Sequence, residues 1–358
     1  MNLNELLKTM VDENASDLHI TAGSPPRIRK GGKLIPISND KLSLEDTKKI
    51  IESEISETNK DKLLNGTEVD YSISVPGVSR FRVNVFNQRG NFAAAYRRLP
   101  YEIPSIDTLG LPQSVIDLTS RRKGLILITG TTGSGKSTTL ASIIYKLTQE
   151  LEGHIITIED PIEYLYPHSK AQVNQREVGV DTESFASGLK SALRQDPDVV
   201  VVGELRDVES MAAAITIAET GHLVISTLHT IDAPKSLDRM IDVFPADQQE
   251  MIITQLSNCL QAVVSQRLIT RQDAPGRVMA SEIMRINHGI RACMIERKFE
   301  QIVGLIQIGS QEGMHTIDES LAHLLVNRHI SLNDALLNCR DEEYIHQNFK
   351  AVEISTNP

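Results

Sequence analysis

The chain has 358 residues, 40% hydrophobic and 23% charged, with a formal net charge of -10. This is ordinary globular composition, long enough for two or three domains, and its acidity argues against a broad nucleic-acid-binding surface. No apolar run approaches the roughly 18 residues of a transmembrane helix, and Met1-Asn2-Leu3-Asn4-Glu5 lacks the basic and apolar regions of a signal peptide, so a cytoplasmic protein is expected. Cys259, Cys293 and Cys339 are odd in number and widely spaced. They make neither a disulfide framework nor a Cys-x-x-Cys zinc pair, and read as buried thiols.

Leu3, Leu6, Leu7, Met10 and Val11 form one apolar face of a helix. Residues 16–21 read as a strand, Gly23-Ser24-Pro25-Pro26 as a turn, and 27–29 and 33–37 as strands flanking a Gly31-Gly32 hairpin signal. Ser43, with Asp46 three residues on, predicts the cap of a helix carrying Ile50, Ile51 and Ile55, and Gly66 stops the next helical piece. Val69, Tyr71, Ile73 and Val75 alternate with polar residues, as do Phe81, Val83 and Val85, which marks half-buried strands. Arg80, Arg82 and Asn84 lie opposite Phe81, and the strand returning after Gln88-Arg89-Gly90-Asn91 ends in Arg97-Arg98.

Pro100, Pro104, Gly110 and Pro112 punctuate a linker, and a short helix from Pro112 follows. Leu125 to Ile128 then run into Gly130-Thr131-Thr132-Gly133-Ser134-Gly135-Lys136-Ser137, with a helical pattern to Leu147. Strand, Gly-x-x-x-x-Gly-Lys-Ser and helix in that order specify a phosphate-binding loop. Its glycines let N–H groups turn inward at a helix N-terminus that favours phosphate oxygens. The nucleotide-binding set is Thr132, Gly133, Ser134, Gly135, Lys136, Ser137 and Thr138. Lys136 is expected to reach the β- and γ-phosphates of ATP, and the Ser137 hydroxyl to take one Mg2+ position. Strands at 154–159, 198–202 and 222–228 alternate with helices at 182–194 and 207–219, which predicts a parallel sheet. Beyond Pro245 the pattern is mostly helical, interrupted by an extended piece near 277–284, and the last ten residues are expected to fray.

ATP chemistry needs acids at strand ends near this loop. Residues 155–158 end in Glu159-Asp160-Pro161-Ile162-Glu163, and Val199 to Val202 end in Gly203-Glu204, with glycine where a Walker B sequence carries Asp. Glu163 is assigned to the attacking water and Glu204 to Mg2+, roles the sequence leaves exchangeable. Glu159 is a further metal candidate, with helix capping or solvation as its alternative. His229, at the carboxyl end of its strand, is placed to sense the γ-phosphate, whereas His222 at the other end is structural or at a subunit contact. Arg82 and Arg97 are either arginine fingers from another domain or subunit, or a solvated strand face.

Together these segments resemble the secretion ATPase superfamily, and within it the type IV pilus retraction motors (PilT-like). The resemblance covers nearly the whole chain. It includes Ser16-Asp17-Leu18-His19-Ile20, Arg80-Phe81-Arg82-Val83-Asn84 and the Walker A segment. Ile158 to Glu163 is similar to the family's Asp box, Asp196 to Asp207 to its atypical Walker B, and Thr220 to Thr230 to its His box. The resemblance implies an α/β protein with a PAS-like N-terminal domain (1–100), a linker (101–112) and a RecA-like P-loop ATPase domain with a helical C-terminal part (113–358). It implies a homohexameric ring, ATP between a subunit's two domains, and Arg82 and Arg97 approaching the phosphates. The implied function is pilus retraction by ATP-driven domain closure, on the cytoplasmic face of the inner membrane. The implied partners are a membrane platform protein and a sister pilus ATPase, with no nucleic acid and membrane contact only through partners. Gly289-Ile290-Arg291 begins a segment similar to the family's Ala-Ile-Arg motif but continues Ala292-Cys293-Met294, without the usual continuation. Gln175 to Gly179 is similar to the accessory retraction ATPases (PilU-like). The alternatives are therefore an accessory ATP-binding ring or a type II or type IV secretion ATPase. Three cysteines cannot form the four-cysteine zinc insertion usual in type II relatives.

Overall fold

The computed structural model describes the backbone of residues 2–100 and 102–356, with side chains through residue 349. The chain forms two compact units: residues 1–102 with 160–165, and residues 103–159 with 166–358.

The first unit contains α1 (Leu3–Asp12), β1 (Asp17–Ile20), β2 (Arg27–Lys30), β3 (Lys33–Pro36), α2 (Leu44–Glu52), α3 (Glu57–Leu64), β4 (Val69–Val75), β5 (Ser79–Gln88) and β6 (Asn91–Leu99). Its strands form one antiparallel sheet in the order β3-β2-β1-β6-β5-β4. Ser43 and Asp46 cap α2 reciprocally, as the sequence predicts. Gly31 and Gly32, at φ +55° and +80°, make the tight β2–β3 turn that only glycine takes without strain. Leu18, Tyr96, Val83 and Tyr71 form one row across β1, β6, β5 and β4, on the face that packs the buried sides of α1 and α2.

The second unit continues with α4 (Gln113–Ile116), β7 (Gly124–Thr129), α5 (Lys136–Glu150), β8 (His154–Glu159), β9 (Gln172–Glu177), α6 (Phe185–Ala192), β10 (Val199–Val202), α7 (Val208–Glu219), β11 (Leu223–Leu228), α8 (Ala233–Asp242) and α9 (Gln249–Cys259). Then come β12 (Leu260–Thr270), β13 (Arg277–Arg285), α10 (His288–Ile295), α11 (Ile302–Ile308), α12 (Ile317–Val326), α13 (Leu332–Asn338) and α14 (Glu342–Thr356). The sheet order is β13-β12-β7-β11-β10-β8-β9, parallel throughout except for the β12–β13 hairpin. This is an α/β chain with an N-terminal sheet domain, a RecA-like core and a helical C-terminal part. Residues 103–112, inside the expected linker, group with the second unit, where Pro104 O accepts the Ser142 hydroxyl at 2.7 Å. Tyr101, Pro358 and Asn357 lie outside the described residues.

Two strands differ from expectation. Residues 260–270 form β12, where a helical pattern was expected. Leu260 to Val264 is an apolar run that periodicity alone cannot assign, and pairing to β7 on one side and β13 on the other decides it. The polar segment 172–177 becomes edge strand β9, which has no apolar alternation to announce it.

The hairpin also anchors the C-terminal helices. Ile269 and Ala280 pack with Ile317, Leu321 and Ile345. Glu282, 1% exposed, accepts the Ala233 N–H at 2.9 Å and lies 3.1 Å from Arg340 Nη2. Burial pushes its carboxyl pKa up, and Arg340 opposes that shift.

Glu54 follows α2, and burial pushes its pKa up to about 7. Its Oε2 and the hydroxyls of Tyr71 and Tyr96 are buried with no protein hydrogen-bond partner among the described residues. The folded unit therefore binds a proton that the unfolded chain releases near pH 4.5. The stability from neutral Glu54 is full below that pH and is lost as pH rises through about 7. Glu54→Gln should flatten the fall in thermal midpoint between pH 5 and 8; an unchanged slope would assign the dependence elsewhere.

Candidate active site

β7 is buried along its whole length, between β11 and β12, and delivers the chain to the phosphate loop. Gly130, Gly133 and Gly135 take φ values of +149°, +80° and +92°, a curl that other residues resist. α5 begins at Lys136, so its first N–H groups open toward the loop. Lys136 is buried, and its Nζ donates to the carbonyls of Gly130 at 2.8 Å and Thr131 at 3.0 Å. Thr132, Gly133 and Ser137 are exposed, Gly135 and Thr138 half-buried, and Ser134 is buried beneath the loop.

β8, β10, β11 and β7 are successive neighbours in a parallel array, so their carboxyl ends share one edge of the sheet. This edge brings together Glu159, Glu204, His229 and the phosphate loop. The Glu204 carboxylate, 17% exposed, pairs with Arg206, and His229 Nε2 lies 3.4 Å from its other oxygen. Glu159 accepts the Thr157 hydroxyl at 2.6 Å and Gln175 Nε2 at 3.1 Å. Gly203 continues the ladder, donating to Ile158 O at 2.9 Å. His222 precedes β11 and turns its Nδ1 to Thr220 and the Ile217 carbonyl, a local structural contact.

Arg82, Arg97 and Glu163 belong to the first unit. Arg82 makes a forked pair with Asp70, closest at 2.7 Å. That bond raises the guanidinium pKa, and the charges of Glu163 and Asp160 add to it. Arg97 Nε donates to Asp17 at 2.9 Å with its side chain 71% exposed. Arg80 Nη1 donates to the Glu163 carbonyl at 3.3 Å. The acids of residues 159–163 are thus divided: Glu159 ends β8 in the second unit, and Glu163 groups with the first.

Residues 1–330 match the type II/IV secretion system protein family. The chain belongs to that family. It is 42% identical to the type IV pilus retraction ATPase PilT of Pseudomonas aeruginosa, over 98% of this chain and 100% of that protein. It is 39% identical to the type IV pilus ATPase PilU of the same organism, over 94% of this chain and 88% of that one. A crystal structure of the pilus retraction motor PilT with bound ADP is 46% identical and aligns with a TM-score of 0.90, covering 97% of this chain and 99% of that chain.

In this member of the secretion family, two hydroxyls that sequence reading passed over hold the peptide before Glu204. The Thr227 hydroxyl donates to Gly203 O at 2.7 Å, and the Ser226 hydroxyl to Val202 O at 2.8 Å. The signal was present: Ser-Thr inside an otherwise apolar strand requires buried partners. Gln266 and Arg277 beside the phosphate loop were also missed: Gln266 lies in β12, which was read as helix, and Arg277 begins the extended piece expected near 277–284, whose pairing to β12 the sequence did not show. Thr227→Val should cost about 1–3 kcal/mol by leaving the Gly203 carbonyl without this donor. An unchanged urea midpoint would mean that the carbonyl finds another partner.

Proposed function

We propose that the protein is a Mg2+-dependent ATPase that works as a homohexameric ring and powers type IV pilus retraction. The observation that carries this reading is an intact phosphate loop beside Glu204 and His229, in a chain similar over almost its entire length to a named retraction ATPase. Lys136 and the N–H groups of the loop and of the first turn of α5 bind the phosphates, apart from that of Ser134, which donates to Thr131 O. The exposed Ser137 hydroxyl and the Glu204 carboxylate are hard oxygen donors of the kind Mg2+ accepts beside phosphates and water. Among the described residues no group of three or more His, Cys, Asp or Glu could hold a metal ion by itself. Mg2+ would neutralise charge on the phosphates as the terminal bond breaks.

Glu163 orients and polarises the attacking water, Glu204 holds the metal's water shell, and His229, beside Glu204, reads the γ-phosphate. Glu159 is the reserve metal oxygen. Arg82 and Arg97 stabilise transition-state charge when the N-terminal domain (1–100) closes on the ATPase domain (113–358) across the linker (101–112). Closure then does mechanical work on an inner-membrane platform protein, from the cytoplasmic side. Among the described residues no helix is long and apolar enough to cross a membrane. A second reading is an accessory ring docked on a sister ATPase, favoured by the similarity to PilU.

ATP turnover and particle mass measured in one buffer test these assignments. Lys136→Ala should lose ADP binding; retained affinity would overturn the loop assignment. Glu204→Ala should bind ADP normally while turnover falls about 100-fold or more, the scale of losing an essential catalytic group. Arg82→Ala should lower turnover in an intact hexamer, and wild-type turnover would return Arg82 to a plain ion pair with Asp70. A wild-type ring that binds ATP without turning it over would shift the assignment to the accessory reading.

A further inference from the structure

The phosphate loop's carbonyls are held from two directions. Lys136 takes those of Gly130 and Thr131. Those of the next turn go to the β12–β13 hairpin: Gln266 Nε2 donates to Ser134 O at 2.8 Å, and Arg277 Nη1 donates to Gly133 O at 3.3 Å. Gln266 is 1% exposed, so its amide has no water to fall back on, whereas Arg277 is exposed at the first position of β13. The hairpin approaches so closely that a Cβ at Gly135 would stand 3.1 Å from Gln266 Nε2 and 3.4 Å from Leu268. A loop can turn its N–H groups toward an anion only while its carbonyls face away and find donors there.

We propose that Gln266 and Arg277 are positioning residues for the phosphate loop: Gln266 holds the Ser134 carbonyl so that the Gly135 N–H of the same peptide is left for a nucleotide's phosphates, and Arg277, through the Gly133 carbonyl, braces the turn in which the Ser134 N–H donates to Thr131 O at 3.2 Å. The inference rests on the nucleotide-binding reading above and adds two residues from a hairpin outside the motif. Arg277 uses a single N–H for this task, so a lysine at that place suffices. The same hairpin packs against α12, which in turn packs against α14, so loop geometry and the C-terminal helices share one support.

The test is ADP binding by titration calorimetry on the full-length protein, with thermal midpoint, mass and steady-state ATP kinetics measured beside it. Arg277→Ala should weaken ADP binding about threefold to tenfold, the scale of one hydrogen bond. Its midpoint and mass should not change, and KM should move more than kcat. Arg277→Lys should recover most of the affinity. Gln266→Ala should weaken binding about tenfold or more; if that buried variant fails to fold, the Arg277 pair decides alone. Wild-type affinity in Arg277→Ala overturns the inference and leaves the nucleotide reading standing. Equal losses in Arg277→Ala and Arg277→Lys overturn it too, since they point to a guanidinium bound directly to phosphate. A wild-type protein that binds no ADP overturns the nucleotide reading and this inference with it.

Discussion

A loop that points several backbone N–H groups at one spot must dispose of its carbonyls, and much of the second unit can be read as the answer to that requirement. β7 lies inside the sheet, between β11 and β12, so the loop it carries has a strand on both sides. On one side the Leu228 carbonyl of β11 accepts the Gly130 N–H; on the other, Gln266 and Arg277 of β12 and β13 donate to the Ser134 and Gly133 carbonyls. The glycines are there because backbone turns sharply and neighbours come close, as at Gly135 against Gln266 and Leu268. Sharp backbone turns and close packing therefore fall on the same short stretch of chain.

Much of this was legible beforehand. The motif at 130–137, the capping of α2 by Ser43 and the alternation in β4 and β5 each have a local cause, so local sequence reveals them. The acid after a four-valine strand was equally plain, because a run of that kind is buried and whatever follows it emerges at the sheet's edge. What local sequence could not show were pairings decided elsewhere in the chain. β12 is a strand because β7 and β13 flank it, and β9 is one because β8 leaves an edge open. Gln266 disappeared from view with β12, and with it the partner strand that brings Arg277 of β13 beside the phosphate loop.

The segment after β8 teaches a different lesson. Glu159 and Glu163 stand four residues apart and read naturally as one acidic cluster. The chain instead leaves the second sheet at Asp160, runs with the first unit through Leu165, and returns where Tyr166 N–H donates to Gln175 at 2.9 Å. Within the first unit this passage meets Arg80 and Arg82, the arginines that the strand pattern had set apart from the core. Proximity in sequence was a poor guide because a proline-containing turn lets the chain change unit within a few residues.

Glu282 has a bearing on how such a chain can change over evolution. Its carboxylate is enclosed by the start of α8 and by Arg340, which arrives from beyond α13. Without Arg340 that buried carboxyl would have to take up a proton or stand as an unpaired charge. The helices after β13 are therefore not a detachable appendage that lineages could swap or trim at will. A replacement that brings no cation to the same point would leave residue 282 to be neutralised, by protonation or by substitution.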